Sequence, residues 1–172
     1  VCIYHRIDLD GWISAAIVKH WFSYQEVPNK QGEDCNTIDF LGYNYGDPLP
    51  EIIQYDKVIM IDISLPKEIM ASISNSLGTN FIWIDHHQRT IDETNAYIIE
   101  HGSPMEGLVT IPGELKAACE LTWEYFFPNQ PMPEIVRLLG RYDCFGHKGT
   151  DEERKVLEFQ YGARECISNY HD

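Results

Sequence analysis

Short apolar segments separated by stretches of helical periodicity are the feature that most constrains the fold of this chain. The apolar segments are residues 1–5, 37–41, 57–61 and 80–84. A helix is predicted over residues 11–24, and a second opens at Ser64-Leu65-Pro66, with Ser64 as N-cap and Pro66 in the first turn. Apolar strands that alternate with helices predict a parallel sheet covered on both faces. The predicted fold class is therefore α/β, with a parallel sheet flanked by helices in three layers.

The second half of the chain is predicted to be more helical. The periodicity indicates helices over residues 113–127, 134–142 and about 151–161, with a proline-rich break at 127–133. A chain of 172 residues is long enough for one domain with a sizeable core.

Side chains that can bind metal follow three of the predicted strands. They are His5, Asp8 and Asp10 after the first strand, Asp62 after the third, and Asp85, His86 and His87 after the fourth. In a parallel sheet, ligands bind beyond the carboxyl ends of the strands, where these three groups are expected to meet. Imidazole and carboxylate ligands together suit Mn²⁺, Mg²⁺ or Zn²⁺.

Each of these groups also has a plainer interpretation when it is taken alone. Asp62 is typical of a turn or a helix cap, and Asp10-Gly11 is typical of a turn. Their joint position at one sheet edge favours a metal centre instead. A carboxylate such as Asp62 on a neighbouring strand could bridge two ions roughly 3.5–4 Å apart, as in two-metal hydrolases.

The charge of the chain limits its partners. Lys and Arg number 13 against 27 Asp and Glu, which gives a net charge of −14 and argues against a broad footprint on long nucleic acid. A small phosphorylated substrate stays possible, because bound divalent cations can invert the local charge. The five cysteines form no C-x-x-C pair, which predicts a reducing, cytoplasmic compartment, and no segment is apolar enough to predict a membrane span.

The motifs resemble those of the DHH phosphoesterase superfamily. The matching segments are His5 to Gly11 for the first motif, Asp62-Ile63-Ser64 for the second, Asp85-His86-His87 for the motif that gives the family its name, and Arg141-Tyr142-Asp143 for the fourth. The resemblance covers about residues 1–165. It implies a three-layer, Rossmann-like DHH domain.

The resemblance also implies two bound Mn²⁺ ions, or Mg²⁺ or another divalent metal. The implied metal ligands are His5 and Asp8 for one ion, Asp10, His86 and Asp143 for the other, and Asp62 as the bridge between them. His87 would face the substrate phosphate, and Asp85 would orient a neighbouring imidazole. The implied reaction is in-line attack of a metal-bridging hydroxide on a phosphoester or phosphoanhydride, which makes Asp62 and His87 the candidate catalytic residues.

Basic residues near the motifs are candidates for contact with a substrate phosphate. They are Arg6, Arg89, Arg141, His147 and Lys148. Arg141 and His147 rank first because they flank Asp143, although each basic residue could equally be a surface charge.

We expect residues 1–150 to form the metal-binding catalytic domain, and residues 151–172 to form a helix or linker toward a second domain that is absent here. Members of the family usually carry such a second domain, often with a glycine-rich motif, and no run of glycines followed by His or Arg occurs in this chain.

Three functions are weighed on this basis. The leading one is a Mn²⁺-dependent phosphoesterase of the RecJ-like, exonuclease and oligoribonuclease-like branch, acting on short oligonucleotides or nucleotides. The alternatives are an inorganic pyrophosphatase or exopolyphosphatase, and a non-catalytic scaffold. Base-stacking aromatic residues would favour the first and a clamp of Lys and Arg the second, whereas an intact ligand set argues against the third. The sequence does not indicate an oligomeric state.

Overall fold

The computed structural model of the chain describes residues 1–24, 38–109, 113–169 and 171. The strands in this part of the chain are β1 (Cys2–His5), β2 (Phe40–Tyr43), β3 (Val58–Ile61), β4 (Phe81–Asp85) and β5 (Glu106–Val109). The α-helices are α1 (Leu9–Ser23), α2 (Lys67–Leu77), α3 (Gln88–His101), α4 (Ala118–Phe126), α5 (Glu134–Asp143) and α6 (Glu153–Cys166).

The strands form one parallel sheet in the order β2-β1-β3-β4-β5. Strands β1, β3 and β4 are buried along their whole length, as apolar strands covered on both faces should be. Strand β1 lies between β2 and β3, so the chain passes across β1 on its way from β2 to β3. The predicted α/β class with a parallel sheet between helical layers is confirmed.

Two apolar layers hold helices against opposite faces of the sheet. On one face, Ile59 and Ile84 of the sheet pack with residues of α1, α4 and α5, among them Val18 and Leu139. On the other face, Met60 and Trp83 pack with α2 and α3. Burying each large apolar side chain contributes about 1.5–3 kcal/mol, so both layers are needed to stabilise the sheet.

Several predicted boundaries are shifted in the structure. Helix α2 begins at Lys67 with Pro66 in the cap position, so Ser64 is not its N-cap. Ser64 is buried instead, and the extended backbone of Pro66 sets the start of the helix. Strand β2 begins at Phe40 rather than at residue 37, which lies outside the described residues.

The second half differs more from the prediction. Helix α4 starts at Ala118 instead of residue 113, and α6 continues to Cys166 instead of ending at residue 161. Helix α3 and strand β5 were not predicted. The buried positions of α3 are few, namely Ile91, Thr94 and Ile98, so its periodic signal is weak. No α-helix in the described ranges is long and apolar enough to cross a membrane.

Candidate metal centre

The predicted ligands lie where parallel strands end. His5 is the last residue of β1, Asp62 directly follows β3, and Asp85 is the last residue of β4. Because the carboxyl ends of parallel strands share one edge of the sheet, three distant segments of sequence meet there. This edge, which His5, Asp62 and Asp85 define, is called the metal edge below.

One group of candidate ligands consists of His5, Asp8 and Asp62. His5 Nδ1 lies 2.8 Å from Asp8 Oδ2 and 3.4 Å from Asp62 Oδ2. Asp8 is also the N-cap of α1, since its Oδ1 accepts a hydrogen bond from the backbone N–H of Gly11 at 3.0 Å. One oxygen of Asp8 therefore fixes the start of the helix, and the other faces His5.

A second group consists of Asp10, His86 and Asp143. His86 Nε2 lies 3.2 Å from Asp143 Oδ2, 3.5 Å from Asp10 Oδ2 and 3.4 Å from Asp62 Oδ1. Asp143, which ends α5, is thus brought to the metal edge by a helix rather than by a strand.

Asp62 connects the two groups, because its Oδ2 faces His5 and its Oδ1 faces His86. Its backbone continues the sheet, with its N–H donating to Ile84 O at 2.9 Å. It then turns in the left-handed region, at φ 58°, which Asp and Asn tolerate better than other side chains except Gly. A strained backbone at the point where both groups meet is typical of a functional position.

Asp10 has a structural role that the sequence did not predict. Its two carboxylate oxygens accept hydrogen bonds from the backbone N–H groups of Ala118 at 2.9 Å and Cys119 at 2.7 Å. These are the first two residues of α4, whose N-cap residue, Ala117, has no side-chain oxygen to cap them. Asp10 therefore caps a helix more than 100 residues away, which explains why α4 begins at Ala118.

The pKa values of several histidines and aspartates in the cluster are raised, which shows that the cluster carries excess negative charge. Burial opposes the charged imidazoles, but the facing carboxylates outweigh it and raise the pKa of His5 to about 10 and that of His86 to about 9. Burial, joined by the charge of Asp62, raises the pKa of Asp143 to about 6 and that of Asp10 well above its usual value. Without metal, the cluster therefore holds protons in place of cations.

Asp85 lies beneath the cluster and is fully buried. Its Oδ1 accepts from the backbone N–H groups of His86 and His87 and lies 2.7 Å from the His87 ring Nδ1. The contact with Asp85 raises the pKa of His87, whose side chain is 41% exposed. This is the position of a group that orients imidazoles, whereas the open side of the His87 ring is accessible to a ligand.

Three of the basic candidates are held by other groups of the protein. Arg6 makes two hydrogen bonds to the Asp47 carboxylate, and Arg89, which is highly exposed, pairs with Glu93 on the same helix. His147 is buried, with its Nδ1 donating to the carbonyl of Arg141 at 2.9 Å. The His147 ring is therefore buried and bound to the backbone of α5.

The loop after β2 adds two residues to the edge that sequence reasoning did not single out. Asn44 Oδ1 lies 3.2 Å from His5 Nε2, so that ring nitrogen donates and Nδ1 is left to face Asp8 and Asp62. The Tyr45 ring lies edge-on to the His5 ring, with 6.2 Å between their centroids. Sequence reasoning missed Asn44 because the strand before it was predicted to end at residue 41, whereas β2 continues to Tyr43.

The residues present fit a pair of divalent cations. His5 Nδ1 and Asp62 Oδ2 are buried polar atoms whose close contacts lack hydrogen-bond geometry, so both are left without a hydrogen-bond partner. Asp8, Asp10, Asp62 and Asp143 carry four negative charges when ionised, which two divalent ions would balance. Oxygen and imidazole donors suit Mn²⁺, Mg²⁺ or Zn²⁺.

A parallel sheet whose strand ends gather carboxylates and imidazoles belongs to the class of α/β folds with a candidate metal site at the sheet edge. The chain matches the DHH family, N-terminal domain, over residues 1–139. It therefore belongs to the DHH family and to the phosphoesterase superfamily, whose domains bind divalent metals and whose members are generally phosphohydrolases.

The chain is also similar to uncharacterized protein R106 of Acanthamoeba polyphaga mimivirus, with 30% identity over 169 residues. The match covers 92% of this chain and 36% of R106, so the chain spans about a third of that relative. The comparison with solved structures found no match.

Proposed function

We propose that the chain is the metal-binding part of a Mn²⁺-dependent phosphoesterase that hydrolyses short oligonucleotides or nucleotides. The observation that carries the proposal is the position of Asp62, whose two oxygens face two separate ligand groups. A pair of ions held there would polarise a phosphoryl oxygen and supply a nucleophile at neutral pH. The alternative metals are Mg²⁺ and other divalent ions.

The residues of the chain would share the work as follows. His5 and Asp8 would bind one ion, Asp10, His86 and Asp143 the other, and Asp62 both. Asp85 holds the turn that presents His86 and His87. His87, with its exposed ring, would donate a hydrogen bond or a proton to the phosphate, and Asp85 favours its protonated form.

The remaining predictions about the whole protein are part of this proposal. Residues 1–150 would be the catalytic domain and residues 151–172 the connection to a substrate-selecting domain. The cytoplasm as its location, a short substrate, and no footprint on long nucleic acid follow from the cysteine pattern and the charge of −14.

A calorimetric titration of the metal-stripped chain with Mn²⁺ tests the proposal. Two ions per chain are expected for the wild type, and Asp62→Asn should bind weakly or not at all. Asp92→Asn is the matched control, because Asp92 is an exposed residue of α3 whose carboxylate bonds to Gln88. Failure of the wild type to bind Mn²⁺ at millimolar concentration would contradict the proposal and favour a non-catalytic scaffold.

A further inference from the structure

The loop between α5 and α6, residues 144–152, starts directly after the candidate ligand Asp143. Phe145 lies two residues beyond Asp143, so their Cα atoms are at most about 7 Å apart. Asp143 itself is 3.2 Å from His86. The first residues of this loop therefore border the metal centre.

The exposure and the backbone conformation of Phe145 are both unfavourable for the stability of the fold. Its side chain is 63% exposed, and its backbone lies in the left-handed region at φ 57°. Such a conformation is strained for a bulky side chain. An exposed apolar ring in a strained conformation beside a metal centre is a candidate contact for a ligand.

The loop is held firmly in this conformation. His147 donates from Nδ1 to the carbonyl of Arg141 and stacks on Tyr142 at 5.4 Å with the rings 6° from parallel. The hydroxyl of Thr150 donates to the carbonyl of His147. At the far end, Arg137 makes two hydrogen bonds to Glu152. Phe145 is thus presented by a braced loop, which lowers the entropic cost of binding.

A cation accompanies the ring. Lys148 Nζ lies 4.1 Å from the centroid of Phe145, in cation–π geometry. Among the described residues, Lys148 makes no ion pair with a carboxylate, whereas Arg6 and Arg89 are paired with Asp47 and Glu93. The loop therefore offers an aromatic face together with an uncommitted positive charge.

We propose that Phe145 and Lys148 form a nucleotide subsite, in which a base stacks on the open face of Phe145 and Lys148 contacts a phosphate. The inference rests on the proposed function, since it names the substrate class of the same metal centre. Base–aromatic stacking is strong and tolerant of sequence, which suits short oligonucleotides. A pyrophosphatase would instead need a clamp of several Lys and Arg side chains, and two of the basic candidates, Arg6 and Arg89, are paired with carboxylates.

Tyr45 is the other exposed aromatic ring at the metal edge, and it fits this role less well. It stands edge-on to the His5 ring, and burial raises the pKa of its phenol, with the Ser64 hydroxyl acting in the opposite direction. Arg6, the basic candidate that contacts the same loop as Tyr45, is already bound by Asp47. Tyr45 is therefore the comparison that the test includes.

Binding of AMP and ribose 5-phosphate to the Mn²⁺-loaded 172-residue chain tests the subsite, because these ligands share a phosphate and differ in the base. AMP should bind about 10-fold more tightly than ribose 5-phosphate, within the roughly 5- to 150-fold range expected of one stacked base. Phe145→Leu should abolish this difference and leave ribose 5-phosphate binding unchanged. Phe145→Tyr should retain the difference, and Lys148→Gln should weaken both ligands.

Tyr24→Leu is the matched control. Tyr24 is an exposed aromatic residue just after α1, about 22 Å along that helix from the metal edge, so its loss should change neither affinity. Equal affinity of the wild type for both ligands, or loss of the difference in Tyr45→Leu instead of Phe145→Leu, would overturn the subsite.

The outcomes separate the two proposals. Two bound Mn²⁺ ions without discrimination between AMP and ribose 5-phosphate would leave the metal-dependent function standing and refute the subsite. Absence of Mn²⁺ binding would refute the proposed function and the subsite together.

Discussion

Replacing Asp10 with Asn should destabilise the metal-free chain, although Asp10 is a candidate metal ligand. Its carboxylate accepts two backbone hydrogen bonds at the start of α4, from Ala118 and Cys119. The amide of Asn has a single acceptor oxygen, so one of these buried N–H groups would lose its partner. The same substitution at Asp8 should cost less, because Asn caps a helix as well as Asp does and only the ionic contact with His5 is lost.

The size of the effect follows from these contacts. A hydrogen bond to a charged group contributes about 1.5–3 kcal/mol, and a buried donor without a partner costs about 1–3 kcal/mol. Burial raises the pKa of Asp10, which reduces the charge-assisted part. We therefore expect a loss of about 2–3 kcal/mol for Asp10→Asn and about 1 kcal/mol or less for Asp8→Asn, whose contact with His5 is partly exposed. In a chain of this length, that loss lowers Tm by roughly 5–10 °C.

Urea unfolding in EDTA at pH 7.5 measures these values directly, followed by tryptophan fluorescence and circular dichroism. Amide hydrogen exchange at Ala118 and Cys119 should quicken in Asp10→Asn and stay unchanged in Asp8→Asn. Both variants should lose Mn²⁺ affinity, which separates the capping role from the ligand role. Equal unfolding midpoints for the two variants would refute the assignment of Asp10 as the cap of α4.

Three further expectations concern the metal edge. Asp62→Asn should keep the backbone at φ 58°, which Asn tolerates, but should lower the urea midpoint of the metal-free chain at pH 7.5, because the Asp62 carboxylate faces the protonated rings of His5 and His86; an unchanged midpoint in EDTA would contradict their raised pKa values. Gly11→Ala should destabilise the chain by about 3 kcal/mol or more, since its Cβ would lie 2.0 Å from the His5 carbonyl oxygen; unfolding midpoints near the wild-type value would argue against this packing. With pKa values of about 10 and 9, His5 and His86 are protonated at pH 7.5 without metal, so Mn²⁺ binding should release about two protons and strengthen as pH rises toward 9. Calorimetry in buffers of different ionisation enthalpy counts these protons, and a count of zero would contradict the raised pKa values.

The strands at the centre of the sheet could be predicted because their residues are apolar up to the carboxyl ends, where His5 and Asp85 stand. Strand β5 could not, since Glu106 and Gly107 interrupt the pattern. Gly107 has φ 136°, and a Cβ there would lie 1.8 Å from the carbonyl oxygen of Trp83, so the residue that weakens the strand signal is the one the close approach requires. Local propensity does not register a contact of this kind.

Part of the candidate site could be predicted from the rule that ligands bind beyond the carboxyl ends of parallel strands. That rule brings together His5, Asp62 and His86, and the structure places their ligand atoms close to one another. It does not reach Asn44, which follows the weakly predicted β2, or the hydrogen bonds from Asp10 to α4, which join residues more than 100 positions apart. Contacts over that separation depend on the packing of helices, which sequence periodicity does not specify.

The double use of Asp10 has an evolutionary consequence. A descendant of this chain that lost its activity would still be less stable by about 2–3 kcal/mol without a carboxylate at position 10, because in the described residues α4 has no other side-chain cap at its first two residues. Retention of Asp10 in a relative would therefore say little about catalysis. Asp62, whose carboxylate oxygens face the rings of His5, His86 and His87, would be under weaker constraint once selection for hydrolysis ended. Replacement of the residue at position 62, rather than at position 10, is therefore the sign by which inactive members of the family could be recognised.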